Sequence, residues 1–145
     1  MQRKHPLTAD TAPAAARRWL ARRDYSQHEL CQRLQREGLT PLEAERLSAE
    51  LADGWWQDDA RFAATRVRAR ARQGKGPRVI AAELAGHGFS EADIRAAEAE
   101  ADVDWHEAAA EALRRSHHAD PIHQRQVLLR KGFTAEQIRQ ALERE

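Results

Sequence analysis

The chain has 145 residues, with 24 Lys plus Arg against 23 Asp plus Glu, for a formal net charge of +1. That balance excludes an attraction for polyanions spread over the whole surface, so any basic face has to come from local clustering. Charged residues make up 32% and aromatics 6%, a composition that favours helix over strand, and the single cysteine, Cys31, excludes an internal disulfide and fits a reducing compartment.

Residues 1–11 are basic at first but lack the apolar run of a secretory signal, and they are expected to form a disordered tail. No stretch approaches the roughly 18 apolar residues of a membrane span, so a cytoplasmic location without membrane contact is expected. A first helix is predicted over about 12–23. Ser26 with Glu29 three residues on reads as a capping box opening a second helix, on which Leu30, Cys31 and Leu34 share a face. Cys31 is therefore expected as a buried structural thiol. Gly38 then ends that helix through a left-handed turn, and Thr40 caps the next with Glu43 reaching back.

The phrase recurs. Leu84, Gly88, Phe89, Ser90 and Asp93 repeat Leu34, Gly38, Leu39, Thr40 and Glu43, and Leu128, Gly132, Phe133, Thr134 and Gln137 repeat them again. Phe89 with Ile94 and Phe133 with Ile138 have the spacing of hydrophobic staples. Gly76-Pro77 and Asp120-Pro121 supply helix starts with Pro in the first turn, and further helices are predicted over about 58–73 and 103–116. The expected architecture is all-α: three tandem three-helix repeats, resembling helix-turn-helix modules, at 12–54, 55–101 and 102–145. Units of roughly 45 residues bury little surface alone, so they are expected to stack into an elongated curved rod, as a monomer.

Charge is segregated along the chain. Arg61, Arg66, Arg68, Arg70, Arg72, Lys75 and Arg78 occupy residues 60–82 without an acid, whereas residues 83–111 carry Glu83, Glu91, Asp93, Glu98, Glu100, Asp102, Asp104, Glu107 and Glu111 with Arg95 the lone base. On a helical wheel Ala60, Ala63, Ala64, Val67 and Ala71 form an apolar stripe, flanked by Arg61, Arg68 and Arg72 on one side and by Arg66 and Arg70 on the other. Phe62 falls off the stripe; it either packs on a neighbouring helix or touches a partner. The arginines are either a solvated face paired with nearby acids or a docking surface for an acidic groove or for nucleic acid. The four tryptophans, Trp19, Trp55, Trp56 and Trp105, are expected in the core or between repeats, although Trp55 and Trp56 are adjacent and cannot share one helix face.

Catalytic chemistry finds no support. Lys75 in Gly74-Lys75-Gly76-Pro77 lacks the spacing of a phosphate loop. His117, His118 and His123 have no cysteine nearby to complete a zinc set. Asp58 and Asp59 read as helix N-terminal carboxylates rather than a catalytic pair. No enzyme activity, cofactor or metal is expected.

These strings resemble the RecX family. The match lies in Ser26-x-x-Glu29-Leu30-x-x-x-Leu34, in Asp58-Asp59-x-Arg61-Phe62-Ala63, in Gly76-Pro77-x-Val79-Ile80-x-x-Glu83-Leu84-x-x-x-Gly88-Phe89, in Asp104-Trp105 and in Leu128-x-x-x-Gly132-Phe133. It runs from about residue 15 to the end, and the middle block is the most specific. The family's aspartate pair often follows a Gly-Tyr-Leu/Ile string, replaced here by Gly54-Trp55-Trp56-Gln57, and Lys75 stands where an aromatic often lies between two glycines. The resemblance implies a cytoplasmic regulator that binds RecA and its filament on single-stranded DNA and restrains strand exchange, ATP hydrolysis and coprotease activity. The expected contact residues are Arg61, Phe62, Arg66, Arg68, Arg70, Arg72, Lys75 and Arg78; the alternative is a protein that binds nucleic acid directly through the same helix.

Overall fold

The computed structural model describes residues 5–116 and 120–144. Among them are nine helices and no strand: α1 Ala12–Arg22, α2 Gln27–Arg36, α3 Pro41–Asp53, α4 Asp59–Arg72, α5 Pro77–Gly86, α6 Glu91–Ala101, α7 Trp105–Ser116, α8 Pro121–Lys131 and α9 Ala135–Arg144. The chain divides into two compact units, Met1–Phe62 and Ala63–Glu145, with the division falling inside α4.

The repeated phrase builds the same joint three times. Gly38, Gly88 and Gly132 take φ of 129°, 88° and 102°, left-handed values that let each chain turn out of its helix. The next hydroxyl then caps. Thr40, Ser90 and Thr134 accept from the backbone N–H of Glu43, Asp93 and Gln137 at 3.2, 3.1 and 3.2 Å. Those residues accept in return from the cap N–H at 2.9, 3.4 and 3.0 Å. The shorter Asp93 thus closes the box with the longest of the three bonds. Phe89, Ile94, Phe133 and Ile138 are all buried beside these joints.

In the first unit Trp19, Leu30, Leu34, Leu47 and Leu51 form a core with Tyr25 and Leu39. Ser26 caps α2 by accepting from the Glu29 N–H, while the Glu29 carboxylate is held by Arg23 at 3.0 and 3.2 Å. Cys31 is half-buried against this core rather than buried within it, because its place on α2 lies at the edge of the apolar face. The tail also differs from expectation. Leu7 is 4% exposed and its N–H donates to the Glu37 carbonyl at 2.7 Å, so the chain is ordered over the turn at Gly38. Thr8 and Thr11 then close a reciprocal hydrogen-bonded turn into α1. A single leucine carries no periodicity, which is why the sequence did not disclose this anchor. Residues 1–4 of the expected tail, and His117 and His118, lie outside the described residues.

In the second unit Ala109, Ala112, Leu113, Leu128, Phe133, Ile138 and Ala141 make one core. Val67, Ile80 and Leu84 are buried to 1% exposure or less. No helix among the described residues is long and apolar enough to cross a membrane.

Candidate functional site

The arginine-rich helix does not present one uniform basic face. The apolar stripe behaves as its spacing requires, with Ala63, Ala64 and Val67 buried. The two flanks then go to different uses. On one, Arg66 Nη1 donates to Glu83 Oε1 at 2.6 Å, and Arg70 grips the same carboxylate through Nε and Nη2 at 2.9–3.1 Å. The three side chains are 22%, 33% and 26% exposed, so this is a partly buried clamp joining α4 to α5. Burial works against the charge of Glu83, but hydrogen bonds from Arg70 and then Arg66 outweigh it and hold the carboxyl below the ordinary glutamate value. Arg66 and Arg70 are therefore both engaged with Glu83 within the protein, at partial exposure.

Phe62 is 3% exposed and belongs to the core, the first of the two placements its offset from the stripe allowed. Arg61 pairs with Asp24 at 3.1 Å.

On the other flank, Arg68 and Arg72 line a groove of about 460 Å³ floored by Ala71, Ala101, Ala108 and Ala112. Arg68 Nη2 donates to the Glu100 carbonyl at 2.9 Å, and Arg115 Nη1 to the Arg72 carbonyl at 3.2 Å. Both α4 arginines keep charge at the surface without a carboxylate partner among the described residues. Lys75 follows in the α4–α5 connection and Arg78 in the first turn of α5, and both are exposed.

The fold adds two cations that sequence reasoning missed. The Gly76 N–H donates to the Lys131 carbonyl at 2.7 Å and the Arg78 N–H to the Gly132 carbonyl at 2.9 Å. The contact is backbone on backbone: a Cβ at Gly76 would lie 2.4 Å from Gly132 C and Phe133 N. It sets Arg130 and Lys131, the last turn of α8, beside Lys75 and Arg78. Among the described residues no ion pair holds Arg72, Lys75, Arg78, Arg130 or Lys131. Two basic residues closing a helix satisfy its dipole, so nothing local marked Arg130 and Lys131; only the docking of two glycine turns does. The resulting surface suits an acidic protein face or a phosphate backbone.

The tryptophans also sort unexpectedly. Trp19 is buried at 8% exposure, whereas Trp55 and Trp56 are 80% and 51% exposed. Both members of the adjacent pair face outward.

A family profile described as "RecX, second three-helix domain" matches residues 58–97, which span the clamp, the basic connection and the Gly88 joint. "Regulatory protein RecX" of Xanthomonas campestris pv. campestris (strain B100) is 41% identical over 129 residues, covering 84% of this chain and 80% of that protein. The protein of the same name from Chromohalobacter salexigens is 42% identical over 132 residues, covering 86% of each. The crystal structure of RecX from Lactobacillus salivarius superposes with a TM-score of 0.76 at 20% identity, covering 94% of this chain and 95% of that one. At that identity the likeness is one of fold.

Proposed function

This chain belongs to the RecX family of regulatory proteins, and on that premise we propose that it regulates RecA without catalysing a reaction of its own. It binds the RecA filament on single-stranded DNA and restrains the ATP hydrolysis, strand exchange and coprotease activity of that filament. The observation that supports this reading is the group of cations at Arg72, Lys75, Arg78 and Arg130, all exposed, with the half-buried Lys131, gathered from elements distant in sequence and without internal ion pairs among the described residues. Arg68 extends the same face along α4. Phe62, Arg66 and Arg70 serve the fold, and Arg61 is engaged with Asp24. A groove-bound monomer acting in the cytoplasm fits this picture.

The test is RecA-dependent ATP hydrolysis on single-stranded DNA with and without the protein. The wild type slows hydrolysis, and the triple reversal Lys75→Glu, Arg78→Glu and Arg130→Glu does not, with helical content unchanged. Full suppression by the variant would show the surface to be wrongly assigned. No suppression by the wild type would remove RecA as the target.

The same cations suit phosphates, so direct nucleic-acid binding is the second reading. It requires affinity for bare DNA that falls steeply with salt, with a log–log slope of about −0.7 per phosphate neutralised on a single strand. A protein that binds RecA-coated DNA well and bare DNA weakly discriminates for the first reading.

A further inference from the structure

Trp55 is placed against both of the preferences that ordinarily position a residue. Its φ is 65°, in the left-handed region that suits Gly or Asn and strains a bulky side chain. Its ring is 80% exposed, so the strain is not offset by burial. The remaining tryptophan and tyrosine rings of the first unit each have a guanidinium of their own: Arg33 lies 3.9 Å from the Trp19 centroid, Arg23 3.7 Å from Tyr25 and Arg17 5.8 Å from Trp56. Among the described residues Trp55 has none.

The surroundings say what kind of group it would accept. Trp55 borders a shallow groove of about 310 Å³ shared with Ala52, Gln57, Asp58 and Asp59. Asp58 Oδ1 accepts from the Arg61 N–H at 3.0 Å, and Asp59 Oδ1 accepts from the Gln27 N–H and Gln57 Nε2 at 2.7 and 2.8 Å. The second oxygen of each carboxylate has no partner among the described residues. The nearest cation on α4, Arg61, is drawn away to Asp24. An exposed indole beside two half-satisfied carboxylates attracts a cation and repels a phosphate backbone.

We propose that Trp55, with Asp58 and Asp59, is a docking point for an Arg or Lys side chain of a partner protein. The cation lies over the indole face while pairing with a carboxylate oxygen. This contact is independent of the basic surface of the second unit, and it would stand even if that surface were wrongly assigned.

The experiment uses the full chain labelled with ¹⁵N, read at the indole N–H signals, with that of Trp55 assigned by its absence in Trp55→Gly. Glycine tolerates the φ of this position, so the rest of that spectrum stays unchanged. The probes are acetyl-Gly-Arg-Gly-amide, acetyl-Gly-Glu-Gly-amide and oligo(dT). The arginine peptide is expected to move the Trp55 signal with saturation, and the glutamate peptide to leave it in place. Asp58→Asn, which keeps the helix cap, is expected to weaken the arginine peptide by about threefold. A Trp55 signal indifferent to the arginine peptide overturns the proposal, as does equal binding by Asp58→Asn. Oligo(dT) moving the signal at lower concentration than the arginine peptide replaces the proposal with base stacking.

Discussion

The backbone N–H of Arg78 donates to the carbonyl of Gly132 at 2.9 Å, tying the start of α5 to the end of α8. This bond, with that from Gly76 to Lys131, needs two glycines for different reasons. Gly132 supplies a left-handed φ of 102° as well as a missing Cβ, which would lie 2.6 Å from Val79 Cγ2, whereas Gly76 has an ordinary φ of −91° and supplies only the missing Cβ.

Gly76→Ala is therefore expected to destabilise strongly, by about 3 kcal/mol, because the added Cβ meets backbone atoms of Gly132 and Phe133 that have no side-chain freedom to yield. Gly88→Ala is the control. Its φ is 88° but nothing lies within 4 Å of the added atom, so only left-handed strain is felt, about 1 kcal/mol. Urea unfolding of the two variants checks the ranking, and equal losses would contradict the backbone contact.

Within α4, Arg70→Gln is expected to lower stability by about 2 kcal/mol, the scale of a lost hydrogen bond to a charged group. Arg72→Gln should change it by less than about 0.5 kcal/mol, as expected for a surface site. The pair Arg70→Gln and Glu83→Gln should be strongly non-additive, since each already breaks the clamp. A double-mutant cycle by urea unfolding measures this, and additivity would mean that the clamp contributes nothing.

Glu83 also sets a pH dependence. Its folded-state pKa is lowered, with burial opposing and the hydrogen bonds from Arg70 and Arg66 prevailing. The unfolded state thus binds the proton more readily. The stabilisation is fully present above the ordinary glutamate value and is lost as pH falls through the lowered folded-state value. Unfolding midpoints measured from pH 7 downward should fall more steeply for the wild type than for Glu83→Gln across the acid range, and parallel profiles would refute the linkage.

Trp55→Gly is expected to raise stability by about 1 kcal/mol, because relief of left-handed strain exceeds the added entropy of glycine in the unfolded chain and little packing is lost at 80% exposure. The readout is a higher urea midpoint at unchanged slope. A stability loss would mean that the ring supports the fold.

Much was legible from local pattern. The all-helical class, the three Gly-apolar-hydroxyl joints and the apolar stripe of α4 follow from turn chemistry and helical spacing, which operate within a few residues. The same spacing separated Arg66 and Arg70 from Arg68 and Arg72 on opposite sides of the stripe. What it could not supply was the neighbour across the gap: Glu83 for one side, a groove and solvent for the other.

By itself, then, the sequence determined where helices start and stop, because caps, glycine turns and periodicity are short-range. Tertiary structure alone decided which cations remain at the surface. It spent Arg66 and Arg70 on Glu83, buried Phe62, and brought Arg130 and Lys131 to Lys75 and Arg78. The physical reason is that an ion pair or a close backbone approach depends on distances between segments far apart in the chain, and no local residue pattern encodes those distances.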